Sequence, residues 1–195
     1  MIALVLCAMV QSPSIDWGFI GAQEGGQRLQ AYVPAGAARR SGVTVSTGVD
    51  LGQRAAADIQ RLALSDALKA KLMPYALKRG DAARAFLRAH PLTLTREEAD
   101  ALDRAVRVAL VLSLRRSYDR AKREFRGFDE LPAAARTVIA SVATQYGPRL
   151  DRATPRFWRR VIEEDWAGAV AELESFGDQY QARRRSEADL LRRSL

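Results

Sequence analysis

"GFIGAQEGGQRLQAYVPAGAARRSGVTVSTGVDLGQ", residues 18–53, decides how the rest of the chain is read. Between Gly25 and Ala57 it holds one carboxylate, Asp50, and Glu24 stands just before it. Upstream, Ile15, Phe19, Ile20 and Ala22 are spaced as one face of a short helix, with Ser14 or Asp16 as cap. Gly25 and Gly26 stop that helix and leave Glu24 on its last turn. "RLQAYV" and "GVTVST" alternate apolar and polar residues with β-branched ones among them, so two short strands are predicted. The intervening "PAGAARRSG" is a loop punctuated by Pro34 and Gly36.

Beyond Gly52 every strong signal is helical. "AAADIQRLAL", "SDALKAKLMPYA" and "GDAARAFLRAH" read as short helices broken at Pro74, Gly80 and Pro91. Thr95 and Glu98 form a capping box before "EEADALDRAVRVALVLSLRRSYDRAKREF", where Ala99, Leu102, Val106, Ala109, Leu110 and Leu114 keep helical spacing. That helix is long enough to join two lobes. "LPAAARTVIASVATQYG" starts at Pro132, ends at Gly147 and is apolar almost all round, as a buried central helix is. "TPRFWRRVIEEDW", "AGAVAELESFG" and "YQARRRSEADLLRRSL" complete the chain. The expected fold is α+β and mostly α: a small β/loop lobe near the N-terminus packed on a larger helical lobe. Residues 1–14 are expected as an apolar segment lying on the core. Residues 15–195 are then one domain, with 15–54 as the small lobe and 55–195 as the helical lobe.

Composition narrows the chemistry. The 195 residues contain one cysteine, Cys7, which excludes an internal disulfide and a cysteine-based metal site. The single histidine, His90, precedes Pro91 and reads as an exposed or capping residue. A net charge of +8 favours an anionic partner: nucleic acid, an anionic membrane surface or an acidic cell-wall polymer. "MIALVLCAMV" has the character of a signal-peptide core, but no Lys or Arg precedes it, no clear small-residue cleavage site follows, and it is too short to span a bilayer. Stable membrane insertion is not expected.

Two acids in unlike surroundings are what glycoside hydrolysis uses, one to protonate the leaving oxygen and one to activate water. Glu24 adjoins apolar Phe19, Ile20 and Tyr32, a setting that favours the neutral acid. Asp50 lies between Gly48 and Gly52, a flexible and wetter setting that keeps a carboxylate charged.

The motifs are more specific than the pair alone. "EGGQRLQAYVP" followed by "SGVTVSTGVDLGQ" resembles the T-even phage lysozyme fold, and more closely its pesticin-like muramidase branch. The shared elements are Glu24–Gly25 at a helix end, Tyr32 on the first strand and Thr44 on the second. Where the T-even enzymes carry their catalytic Asp, two residues after the Tyr, this chain has Pro34; the pesticin-like branch has its Asp in a "GxDLG" segment, matched by Asp50. The resemblance therefore implies a lysozyme-like fold, with Glu24 as general acid, Asp50 as base and Thr44 orienting the water. Ser46 stands where the T-even pattern has a glycine, and the resemblance implies that it narrows the cleft floor. Similarity runs on through "TVIASVATQYG", "TPRFWRRVIEEDWAGAVAEL" and "RRRSEADLL", covering nearly all of residues 15–193.

The implied activity is that of a lysozyme: cleavage of the β-1,4 bond between N-acetylmuramic acid and N-acetylglucosamine, with inversion and carboxyl groups about 6.5–9.5 Å apart. No metal or organic cofactor is implied. Thr44 and Asp50 are six positions apart, about 20 Å along a straight strand, so the pairing requires a turn, and Gly48 is the residue able to make it. Tyr32 and Ser46 are expected at the substrate, Gln145 at a sugar N-acetyl group or as a core amide, and Arg39 and Arg40 at peptide-stem or lactyl carboxylates. Trp17, Trp158 and Trp166 are expected in packing, and Arg183–Arg185 as a basic helix face. Peptidoglycan is the expected partner, acted on by a monomer in the periplasm or external wall after export, injection or lysis. An immunity or inhibitor protein fits a bacteriolytic toxin. The rival readings are an inactive cell-wall or polyanion-binding protein of the same fold and a nucleic-acid binder, the latter lacking a recognisable reading helix.

Overall fold

The structure, a computed structural model, describes residues 15–34, 41–122 and 127–194. Helix α1, Trp17–Gln23, ends where the sequence places its stop: Gly25 and Gly26 both take positive φ, 76° and 87°. Strands β1 (Arg28–Tyr32), β2 (Thr44–Ser46) and β3 (Val49–Asp50) form one antiparallel sheet in the order β1-β2-β3. The third strand is an addition to the two expected. It is only two residues long, too short to carry an alternating pattern of its own.

Short helices α2 (Ala56–Arg61), α3 (Asp66–Leu72) and α4 (Gly80–Ala89) follow, with a 3-10 turn at Met73–Tyr75 around Pro74. His90 is the C-terminal cap residue of α4, with its ring 4.5 Å from that of Phe86. The Thr95–Glu98 capping box forms as predicted: Thr95 N–H donates to Glu98 Oε2 at 2.8 Å and Glu98 N–H to Thr95 Oγ1 at 3.2 Å. It opens α5, Arg96–Lys122, whose 27 residues extend about 40 Å. Then come α6 (Ala133–Tyr146), α7 (Leu150–Ala153), α8 (Pro155–Glu163), α9 (Trp166–Glu174) and α10 (Gln181–Arg192). Pro132 is the residue before α6 rather than in its first turn, and Gly147 ends the helix at φ 81°.

The chain divides into two units, and the division falls inside α5 between Leu112 and Ser113. In the unit Gly18–Leu112, Val43, Val45, Val49 and Leu51 of the sheet region share a core with Ile59, Leu68, Leu72, Leu94, Ala99 and Leu102. The hairpin is thereby anchored on the helices that follow it. In the unit built on Ser113–Leu195, α6 is buried through its middle from Ala135 to Ala143, confirming the reading of an apolar-all-round helix. Trp158 is buried there and meets Tyr118 edge-on, a packing role.

Arg183 and Arg184 correct the expectation of a solvated basic face. They are 6% and 2% exposed and close on Glu187, which is fully buried. Arg183 also donates to the carbonyl and hydroxyl of Ser141 and to Thr144 Oγ1, and Arg184 to Asp178. A run of like charges reads as surface, although here Glu187 lies three and four residues on, at the spacing that pairs with both arginines along one helix. Of the three arginines, Arg185 alone is exposed.

Candidate active site

The hairpin supplies the geometry. Val45 pairs with Val49, so the connection is Ser46-Thr47-Gly48, and Gly48 takes φ 75°. This is the turn that the Thr44–Asp50 pairing requires, and the two residues are direct cross-strand partners. On the other side of β2, Thr44 pairs with Tyr32. Tyr32, Thr44 and Asp50 therefore form one row across the three strands, with neighbours' Cβ atoms about 5 Å apart. At the turn, the position a Cβ on Gly48 would take lies 3.3 Å from Glu24 Oε2. The two acids, 26 positions apart in sequence, thus meet the same hairpin.

Asp50 is half-buried and ordered, not in the flexible wet setting expected of it. Oδ1 accepts from Gly52 N–H at 2.8 Å, capping a 3-10 turn at Leu51–Gln53, and Gly42 N–H is 3.1 Å from both oxygens. Those donors are neutral and few, leaving lone pairs on the carboxylate for a further donor. The two glycines come close to each other around it: a Cβ on Gly42 would lie 2.4 Å from Gly52 Cα, 2.5 Å from Lys78 carbonyl oxygen and 2.7 Å from Asp50 Oδ1. Arg79 Nε donates to Gly52 carbonyl at 2.8 Å and closes the segment further.

Arg54 is the cation beside this carboxylate. Burial pushes its pKa below the ordinary arginine value, while Asp58 and Asp50 pull it back up, and its Nε is buried without a hydrogen-bond partner among the described residues. Nothing in the spacing around Arg54 marks it in the sequence.

The remaining candidates divide as follows. Glu24 is half-buried just after α1. Tyr32 is half-buried with the Arg28 guanidinium 4.5 Å over its ring. Thr44 is 4% exposed and donates to Gly42 carbonyl at 3.3 Å. Ser46 is 1% exposed, in left-handed conformation, with its hydroxyl given to Ala99 carbonyl at 3.1 Å; its contacts place it beneath the turn. Gln145 is half-buried on α6, in the other unit, and its side-chain carbonyl accepts from Arg184. Arg39, Arg40 and the segment 1–14 lie outside the described residues.

Asp103 is a second residue at the site that the motifs do not mark. It is 7% exposed on α5 and takes both Thr47 donors. The signal available in sequence was an acid next to core Leu102 and four residues after core Ala99, on the inward side of the helix.

With this geometry in view, comparison with known families gives a match over residues 14–167 to Pesticin, described as a bacterial toxin homologue of phage lysozyme, C-terminal part. The chain belongs to the pesticin family. The match contains every residue of the hairpin row, Glu24 and Gln145, and ends inside α9. The mostly helical α+β fold with its small sheet is the lysozyme-like fold of that family. No curated protein matches the chain. Among the described residues no cluster of His, Cys, Asp and Glu could hold a metal ion, and no helix is long and apolar enough to cross a membrane.

Proposed function

We propose that this pesticin-family chain is an inverting muramidase, residues 15–195 forming one catalytic domain that acts on peptidoglycan in the bacterial wall. Glu24, protonated, gives its proton to the glycosidic oxygen between N-acetylmuramic acid and N-acetylglucosamine. Asp50 takes a proton from a water whose oxygen bonds to the anomeric carbon as the old C–O bond breaks. Glu24 is left as carboxylate and Asp50 as acid, and exchange with solvent restores both. Thr44, beside Asp50, has hydroxyl lone pairs that orient the water.

One observation supports this reading above the others: the Gly48 turn returns Asp50 to the side of Thr44 and Tyr32 and also backs onto the Glu24 carboxylate. The backbone amides on Asp50 suit a base, because they hold it in place without neutralising it. The basic net charge suits attraction to an anionic polymer.

The same amides favour one second reading, in which Asp50 serves only to cap its 3-10 turn and the protein binds cell wall without cutting it. Mass spectrometry of material released from purified peptidoglycan separates the two. The muramidase reading expects fragments with new reducing muramic-acid ends. Free amino groups would indicate a peptidase or amidase, and bound protein with no released fragment a binding module.

A further inference from the structure

Asp103 occupies a position where an acid is costly. It follows core Leu102 on α5 and is 7% exposed, and a carboxylate so placed needs hydrogen-bond partners. Oδ1 accepts from Thr47 N–H at 3.2 Å, and Oδ2 accepts from Thr47 Oγ1 at 2.7 Å and from Gln27 Nε2 at 3.1 Å. The same Gln27 nitrogen donates to Asp100 Oδ1 at 2.8 Å. One turn earlier on α5, Ala99 carbonyl holds the Ser46 hydroxyl.

Two separate segments converge on this carboxylate. Thr47 is the middle of the turn that leads to Asp50, and Gln27 lies three residues past Glu24. Ser46, before Thr47, is held at φ 56°, a conformation that L-residues with side chains rarely adopt and keep only where surrounding contacts dictate it. Gly48, after Thr47, is the residue that backs Glu24. Every group aimed at Asp103 is a donor, so an ionised acid satisfies them all, whereas an amide would turn its own N–H₂ toward one of them.

We propose that Asp103 is the positioning residue of the acid pair: it clamps the segment after Glu24 and the turn before Asp50 to one helix, and so sets the gap between the two carboxyl groups. Its consequence for rate rests on the muramidase reading; the clamp itself rests on the geometry around Asp103. Misplacement by about an ångström at a reacting centre costs about a hundredfold in rate, so loosening this turn falls on turnover more than on binding.

The test compares the parent with Asp103→Asn and Thr47→Val, measuring kcat and KM on purified peptidoglycan, thermal melting, and amide hydrogen exchange at Thr47 and Gly48. Expected for Asp103→Asn are a folded protein, a nearly unchanged KM, kcat lower by about tenfold or more, and exchange at both amides faster by about tenfold. Thr47→Val lowers kcat in the same direction, and the double variant loses less than the product of the single losses, because both changes break one contact. Unchanged exchange at Thr47 and Gly48 overturns the clamp. A lower melting temperature with parental kcat overturns the positioning role and leaves Asp103 as ordinary architecture. If the parent releases no reducing ends, the muramidase reading fails on its own account, and exchange in Asp103→Asn still decides the clamp. Should Asp103→Asn fail to fold, Thr47→Val, which leaves the acid in place, carries both readouts.

Discussion

Around Asp50 a half-buried carboxylate meets the backbone amides of Gly42 and Gly52, whereas around Glu187 a fully buried one meets the guanidinium groups of Arg183 and Arg184. The first arrangement fixes position with neutral donors and leaves charge and lone pairs in reach of solvent. The second cancels charge with charge: Arg184 also takes Asp178, Arg183 also takes Ser141 and Thr144, and Ser141, Arg183, Arg184 and Glu187 are all buried. Backbone amides as the direct donors to a carboxylate, with the Arg54 cation beside it rather than hydrogen-bonded to it, are compatible with chemistry, while paired guanidiniums at complete burial serve architecture. Substitutions at the two places therefore separate by readout, activity at one and stability at the other.

The largest effect is expected at the acid pair. Glu24→Gln and Asp50→Asn each lower the rate of reducing-end release by about a hundred- to ten-thousand-fold. Melting distinguishes them: Glu24→Gln melts near the parent, and Asp50→Asn melts lower because an amide nitrogen now faces a backbone donor. Parental activity in either variant removes the contrast with the Glu187 network.

Next is Glu187→Ala, which strands two buried guanidiniums. Breaking a buried ion pair from one side costs about 3–5 kcal/mol. In a chain of this size, that lowers melting by about 6–20 °C. Calorimetry checks it, with the activity of the folded protein at the parental level. A smaller loss is expected from Gly42→Ala, about 3 kcal/mol from overpacking against Gly52 and Lys78. Gly21→Ala is the control: among the described residues nothing outside its own helix lies within 4 Å of its Cβ position, and the change gains about 0.5–1 kcal/mol inside α1.

The smallest effects are pH-dependent and belong to the rim of the Glu187 network. Burial by itself would raise Asp178, but hydrogen bonds from Tyr146 O–H, Tyr180 N–H and Arg184 outweigh it and hold its pKa below the usual carboxylate value. A depressed folded-state pKa gives stability that is present above the unfolded value of about 3.9 and is lost as pH falls through the folded one. Burial, and then Asp178, push Tyr146 up to about 12. That contribution is complete below about pH 10 and is lost as pH rises toward the folded value. Thermal melts across pH should show Asp178→Asn with a flatter acid limb and Tyr146→Phe with a flatter alkaline one.

Much of this was legible in the sequence where local chemistry decides. Gly25–Gly26 stopped α1, Thr95 and Glu98 closed their box, Gly147 ended α6, and Gly48 made the turn that the Thr44–Asp50 spacing demanded. Long-range contacts were not legible. Thr47 and Asp103 are 56 positions apart, and Ser141 and Glu187 are 46 apart, so nothing near either acid announces its partner. Arg183 and Arg184 have Glu187 within one helical turn, and what the sequence does not announce is the burial of all three against Ser141 and Thr144 of α6. Asp50 read as wet and flexible because glycine suggests freedom, although Gly42 and Gly52 are there for close approach of backbone, which is a constraint.

The most direct test of an acid and a base acting across a water-sized gap is the anomeric form of the first sugar ends released from purified peptidoglycan, followed by proton NMR before mutarotation. The account predicts new muramic-acid ends in the α configuration, the β bond having been attacked by water from the opposite face. Ends released in the β configuration would contradict it, since retention requires a bonded intermediate in place of direct attack by water.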